Sequence, residues 1–588
     1  MSHTLVRWRE WTDDAFAEAQ LQDKPILLHI GAVWCHWCHV MDRGVPGDPV
    51  HTGVYSNAEL AAYVNEHFIP IRVDNDQRPD INARYNMGGW PTTCFLTPSG
   101  EVIYGATYIA PSQMRSLMPQ VVDVWASRRD ELLQRMDEAK TETVAAGQAG
   151  HDSSLPANAV QDVANSIIRN FDPKNGGLGA NQKFPMSDAW QLLLTLAADA
   201  NEGRLRQMVE QTFVAMGTRG MYDRVAGGWF RYSTTPDWSV PHFEKMLEDH
   251  ARLLPPYLGA IGLADDEDVR TTLTAVVNAS LEYLMGTLLH DADGVAYFFG
   301  SQDADEHYYT LSKLERAELE APYIDRRLYA DWNALMVSAL LQAAAVLERP
   351  ELAALAGRVW RTLQALCVDA DGCVTHSIEF VDGQPRAQAL RGQLGDHAAL
   401  ARAALDLAQH DCANCAAHMA SARALIECVE RTLASSDGGY FDSPDAGSKH
   451  GLLRVRLRPI FDNCAMAEAL LTYDALNGAG ASRASRVLAA FADEYARYRE
   501  HGAPYALALW KAMREPIEIV VVGAEADAAP FAHAAFQKFA AWRLVRVLDP
   551  QRDAAEITVR GYPIAQLPAA FVCKGTTCSA PIFDAGDL

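Results

Sequence analysis

The chain has 588 residues, 49% of them hydrophobic and 21% charged, with a formal net charge of −24 at pH 7. That length exceeds what one hydrophobic core organises, so about two to four domains, or one large barrel with additions, are expected. The acidic balance excludes a nucleic-acid backbone or an anionic membrane surface as partner, and no basic stripe reverses it.

Met1–Ala19 carries charges where a signal peptide would have an apolar run, and no stretch approaches the roughly 18 apolar residues of a membrane span. A cytoplasmic protein is expected, its eleven cysteines reduced, catalytic or buried rather than structurally paired.

Residues 1–140 read as a small α/β domain. An amphipathic helix around 16–21 ends at Lys24-Pro25, and the apolar run 26–30 is a buried strand. A helix starts at Cys35-His36-Trp37-Cys38, and another spans 59–67 with Ser56 or Asn57 as N-cap. Strands follow at 69–73, 92–96 and 101–104, the last two joined by the turn Thr97-Pro98-Ser99-Gly100. Ser112 is expected to cap a helix over 113–126, with a kink near Pro119. Thr141 to Gly150 reads as a linker.

From 155 to 512 strand signals nearly vanish. Ala/Leu-rich helical stretches recur at 160–170, 189–200, 204–219, 243–263, 269–289, 333–348, 352–368, 398–408, 416–433, 465–476 and 484–498. Between some of them stand Gly176-Gly177-Leu178-Gly179, Gly227-Gly228-Trp229-Phe230 and Gly438-Gly439-Tyr440-Phe441. A helix-pair unit that repeats into a closed ring of six hairpins is the economical reading, with an open solenoid as its rival. The glycine turns then read as one loop repeated on one face of the ring. Residues 513–588 change character again, with strands at 517–522 and 544–548 and a helix at 531–539, giving a small α/β appendage.

An apolar strand delivers the chain to Cys35 and Cys38. At positions i and i+3 of a helix's first turn the two sulfurs lie side by side, and the unsatisfied N–H groups there favour a thiolate. Cys35 is therefore the expected nucleophile and Cys38 the resolving thiol; a protonated His36 would add to thiolate stabilisation. His39 completes a Cys-x-x-Cys-His string that also matches haem attachment, against which the preceding strand argues. Zinc binding is the other alternative, but no second pair lies at finger spacing, and Cys412 and Cys415 sit in a helical stretch as buried thiols. A structurally inert pair is the third alternative. Cys573 and Cys578 read as two buried thiols, with a second redox pair as the alternative.

Downstream, Gly88-Gly89-Trp90-Pro91-Thr92 sets a proline immediately before a strand. With the cysteine pair this resembles the thioredoxin fold, which implies a cis Pro91 opposite the cysteines, holding substrate backbone. The same resemblance puts His29 where thioredoxins have a buried acid that handles protons for the resolving thiol; a satisfied core histidine is the plainer reading.

A wider resemblance rests on Lys24-Pro25-Ile26, Cys35 to Met41, Val73-Asp74, Arg78-Pro79-Asp80, Gly88 to Pro91 and Lys183-Phe184-Pro185. It continues through Gly227 to Ser233, Trp238, Pro241-His242-Phe243-Glu244-Lys245-Met246-Leu247, Asp303-Ala304-Asp305, Trp332-Asn333 and Cys573 to Cys578. These strings resemble the spermatogenesis-associated protein 20-like family. The resemblance implies a multidomain α/β plus all-α chain: a thioredoxin-like domain over 1–140, an (α/α)6 six-hairpin, glycosidase-like barrel over 155–512, and the appendage over 513–588. The chain departs from the pattern at Gly44 to Ser56, at Asp74 to Pro79, after Asp305, and at Asp462-Asn463-Cys464-Ala465.

Read by chemistry, Trp238 to Met246 combines aromatic faces and charged groups of the kind that bind sugars. His242, Glu244, Asp249, Asp303, Asp305 and His397 are expected at one cavity mouth, joined by Arg231, Tyr232, Trp238, Lys245, Trp332 and Asn333. Glycoside hydrolysis needs two carboxyls and epimerisation a base; the plainer reading is an ion-paired helix start and a solvated turn. The function expected is thiol–disulfide exchange by Cys35, Cys38, Pro91 and His29, on a protein or small-molecule disulfide that the barrel recognises, with no cofactor or metal. A sugar-active barrel, epimerase-like or glycosidase-like, with a regulatory thioredoxin domain is the alternative, and a scaffold the third reading.

Overall fold

The computed structural model describes residues 5–45, 47–48, 50–146, 154–445 and 450–588. They form two compact units, one of residues 1–151 with 303–305 and 445–457, the other of the remainder. No helix among the described residues is long and apolar enough to cross a membrane.

The first unit is thioredoxin-like. Strands β1 (Ile26–Gly31), β2 (Ile69–Asp74), β3 (Thr92–Leu96) and β4 (Val102–Ala106) form a sheet in the order β2-β1-β3-β4. β1 runs parallel to β2 and antiparallel to β3, and β3 antiparallel to β4. Side-chain alternation along a strand divides the apolar residues between the sheet's two faces. Leu27 and Phe95 join Tyr55, Leu60, Val64, Phe68 and Met114 on one, while Leu28, Ile30 and Leu96 join Ile71, Ile81 and Tyr85 on the other. Helix α1 (Asp13–Gln22) is capped by Thr12, α2 (His36–Arg43) by Cys35 and α3 (Ala58–His67) by Asn57; α4 (Pro79–Tyr85) opens on a proline.

Helix α5 (Pro111–Ala146) corrects two expectations. It begins at Pro111 rather than after a Ser112 cap, because proline's fixed φ and missing N–H suit the first helical position. Its break falls at Arg128 (φ −131°) and not at Pro119. Pro119 is exposed, so water can satisfy the carbonyl its missing N–H leaves. The helix also runs through the first part of the expected linker, whose remainder lies outside the described residues.

The second unit is the expected ring. Six inner helices, Ser187–Ala200, Leu247–Leu263, Ala330–Val346, Leu394–His410, Ile460–Leu476 and Ala503–Ala512, pack each on the next, and the last packs on the first. Outside and before each stands a partner: Ala159–Asn170, Gly203–Thr218, Glu267–Tyr283, Pro350–Leu366, Cys415–Thr432 and Ser482–Ala489. As a group the inner helices are richer in apolar residues than their outer partners, as enclosed elements are, with their charged residues concentrated in the first turns. Inner-to-outer connections are short, whereas several outer-to-inner connections are long and carry paired short strands the sequence did not announce, among them Tyr232–Ser233 with Pro241–His242 and Lys245–Met246 with Ser301–Gln302. The 243–263 helix accordingly begins only at Leu247.

The glycine turns are one repeated outer-to-inner loop. All six residues of the three Gly-Gly pairs have positive φ, and Asp172, Asp223 and Ser435 each open a turn closed by backbone bonds to that glycine pair. Asp369 opens a fourth copy through Gly372 and Cys373. Cys412 and Cys415 are half-exposed at the turn before Cys415–Thr432 rather than buried within a helix.

The appendage packs within the second unit, where the Val545 N–H donates to Gln409 (3.0 Å) and Phe536 stacks on His410. Its strands Ile517–Val522, Arg543–Leu548, Ala569–Lys574 and Thr577–Cys578 repeat the first unit's sheet. The order is second, first, third, fourth, with the first two parallel and the others antiparallel.

Candidate functional site

Cys35 is the N-cap of α2. The Cys38 N–H donates to Cys35 Sγ (3.2 Å), and the two cysteines are disulfide-bonded with a Cα–Cα distance of 5.2 Å. An N–H aimed at a sulfur on a helix's first turn stabilises its thiolate. Trp34 is held by its indole N–H on Asp76 (2.6 Å) and meets the ring of Trp90 edge-on at 5.8 Å, which brings the Trp90–Pro91 loop to the cysteines; that peptide bond is cis.

His29 is 2% exposed, its Nδ1 lying 3.3 Å from Tyr55 Oη. Burial first, then the Arg72 charge, holds its pKa well below the ordinary histidine value, so the ring is neutral. A Cβ on Gly31 would stand 3.0 Å from His29 Nε2 and 3.3 Å from Cys38 Sγ. The bare glycine thus leaves the imidazole edge and Cys38 Sγ facing one gap. Asp303 belongs to this unit and accepts from His39 Nε2 at 3.0 Å. Asp303 and Asp305 are therefore counted with this unit, not with the ring, because their backbone packs here.

In the ring, polar chemistry gathers where the inner helices begin. Asp188, Glu248, Asp249, Asp331, Asp396 and Asp462 all lie in first turns. Burial, then Glu248, pushes Asp249 up to about 7; burial, then Asp396 and Asp442 against the pull of Arg252, pushes Asp462 up to about 6. Asp331 and Asp188 are raised as well, by burial first. Glu244 goes the other way. Burial alone would raise it, but His242, with Nδ1 at 3.6 Å, and Arg231 hold it below the ordinary glutamate value. Glu244 Oε2, Asp249 Oδ2 and Asp396 Oδ2 are buried oxygens without a hydrogen-bond partner. Phe184, 47% exposed, stacks on Tyr232, and Tyr232 on His242.

Of the expected ring residues, Arg231, Tyr232, His242, Glu244 and Asp249 come together. Four others hold loops. Trp238 is fully buried, its indole N–H on the Asn175 carbonyl (3.2 Å). Lys245 is fully buried and donates to Asp223 and the Gly227 carbonyl, both 2.8 Å, as Lys183 does to Asp172 in the first copy of the loop. Asn333 takes the Phe298 N–H (2.7 Å), and His397 spends both ring nitrogens on Gln393 O and the Val374 N–H. Trp332 is buried against Tyr329.

Asp188, Asp331, His376, Asp396 and Asp462 were not anticipated. One signal was available. Asp249-His250, Trp332-Asn333, Asp396-His397 and Asp462-Asn463 recur at the third and fourth positions of four inner helices. The fourth residue each time receives a loop N–H, from Trp229, Phe298, Val374 and Tyr440. Among the described residues, two sets of three donors lie within 4.8 Å of one another, Cys373 with His397 and Cys428, and Asp331 with His376 and Asp396. In the first the cysteines are bonded to each other. The second, with His376 Nδ1 2.9 Å from Asp396, has the donor chemistry of a divalent-cation site.

Residues 1–144 match the Thioredox_DsbH family (Protein of unknown function, DUF255). Spermatogenesis-associated protein 20 of Rattus norvegicus is 30% identical over 326 residues, 52% of this chain and 39% of that protein. The chain thus spans about two fifths of the length of such curated relatives. The thiol:disulfide interchange protein DsbD 1 of Pseudomonas aeruginosa is 37% identical over 89 residues, 15% of this chain and 14% of that one. Among solved structures, cellobiose 2-epimerase of Spirochaeta thermophila superposes with a TM-score of 0.46 at 11% identity, over 61% of this chain and 94% of that one. By these matches residues 1–144 carry the Thioredox_DsbH domain, and about half of the chain is similar to spermatogenesis-associated protein 20.

Proposed function

We propose that the protein is a thiol–disulfide oxidoreductase of the thioredoxin type. The observation that carries this reading is the Cys38 N–H aimed at Cys35 Sγ on the first turn of a helix. The Cys35 thiolate attacks one sulfur of a substrate disulfide and releases the other as a thiolate. Cys38, giving its proton toward His29, then attacks Cys35 Sγ, so the substrate leaves as two thiols and Cys35–Cys38 is oxidised. An external dithiol returns the electron pair. Pro91 shapes the groove, and the ring recognises the disulfide's carrier. Insulin reduction with a dithiol donor tests this: turnover abolished in Cys35→Ser supports it, and no turnover by the unaltered protein with any dithiol contradicts it.

A second reading, a sugar-active ring, rests on a different observation. Glu244 and Asp249, each with an unpartnered buried oxygen, are pushed in opposite directions. One ionised and one protonated carboxyl is the division of labour that glycosidic cleavage uses. Turnover on a sugar panel that survives Cys35→Ser and is lost in Asp249→Asn would favour it; no turnover on any sugar would set it aside.

A further inference from the structure

The appendage sheet repeats the strand order and directions of the thioredoxin-like unit, but its first strand leads into Gly523-Ala524-Glu525-Ala526, with no cysteine at the start of the helix Glu525–Gln537. Its cysteines stand elsewhere. Cys573, on the third strand, and Cys578, on the fourth, are directly paired across the hairpin with a Cα–Cα distance of 4.0 Å, and they are disulfide-bonded. The expectation of two buried thiols is corrected: Cys573 is 3% exposed, whereas Cys578 lies open on the sheet's edge strand.

Two features set this bond apart from a structural staple. It closes a loop with a sequence separation of only 5, against 55 for Cys373–Cys428, and short loops gain least from cross-linking. One of its cysteines, Cys578, is also exposed, and exposed disulfides are the labile rather than the structural ones.

We propose that the appendage is a second thioredoxin-like module with an exchangeable disulfide at Cys573–Cys578, open to external thiols. An incoming thiolate attacks Cys578 Sγ, forming a mixed disulfide there and releasing Cys573 as a thiolate. Tyr562 Oη, 3.8 Å from Cys573 Sγ, is the hydroxyl at hand to hydrogen-bond it. A second thiolate then attacks the incoming sulfur, so two thiols become one disulfide and the pair gains two electrons and, from solvent, two protons. The step does not depend on Cys35.

The test uses the full chain with Cys35→Ser and Cys38→Ser, equilibrated in glutathione buffers of graded ratio, then acid-quenched, alkylated and mapped by mass spectrometry. Cys573 and Cys578 should change state together as a two-electron couple while the chain stays folded and Cys373–Cys428 stays oxidised. Adding Cys573→Ser, which leaves the exposed thiol, should give a glutathione mixed disulfide at least about tenfold faster than adding Cys578→Ser, which leaves the buried one. A pair that opens only when the chain unfolds would overturn the proposal, as would equal rates or faster reaction at Cys573.

Discussion

At Gly31 a hydrogen atom stands where any other residue would place a carbon between His29 Nε2 and Cys38 Sγ, 3.0 and 3.3 Å away. In the proposed exchange, proton handling between His29 and Cys38 uses that space. Gly31→Ala should leave far-UV ellipticity unchanged while lowering disulfide turnover by about 10²-fold, the lower end of what a positioned acid–base group supplies; unchanged turnover would remove His29 from the reaction. That His29 lies on β1, Cys35 and Cys38 at the start of α2 and Pro91 just before β3 was legible because each has a fixed place along the chain relative to a strand. The gap was not, because it depends on how α2 leaves β1. Trp238, Lys245 and His397 misled for a physical reason. Loop-holding and sugar-binding draw on the same residue types, and only burial and partners separate them.

The first turns of four inner helices, Leu247–Leu263, Ala330–Val346, Leu394–His410 and Ile460–Leu476, do two jobs. Their fourth residues fasten the loops: Asn463 takes the Tyr440 N–H and gives its amide to the Tyr440 and Pro459 carbonyls. Asn463→Ala would leave these buried groups unpaired and should cost about 3 kcal/mol, read by urea unfolding. Their second and third residues supply acids. Asp249 rises from 3.8 to about 7, so between these values the native state holds a proton that the unfolded chain has lost. Its contribution is complete below pH 3.8 and is lost as pH rises through about 7. Asp249→Asn should therefore gain in Tm relative to the unaltered protein between pH 5 and pH 8, and a difference independent of pH would contradict the shift. Helix periodicity announced the ring and its glycine turns, but the paired short strands lie in connections too brief to show an alternating pattern.

Across the whole chain the cysteines divide by role. Three pairs are bonded and five thiols are free, against the expectation of unpaired cysteines; Cys373 and Cys428 meet only because an outer helix packs on the loop of its neighbour. That bond should contribute about 4 kcal/mol by loop closure, against about 2 for Cys573–Cys578. Cys428→Ala should lower the stability of the helical unit by about that amount, measured through far-UV ellipticity in urea. The repeated sheet topology was likewise hidden, since parallel pairing joins strands that local pattern cannot link. The proposed exchange turns on Cys35 attacking and Cys38 resolving. Cys38→Ser incubated with disulfide-bearing protein and resolved without reductant should give a stable mixed disulfide mapped to Cys35 and absent from Cys35→Ser; no adduct, or one mapped to another cysteine, would overturn that assignment.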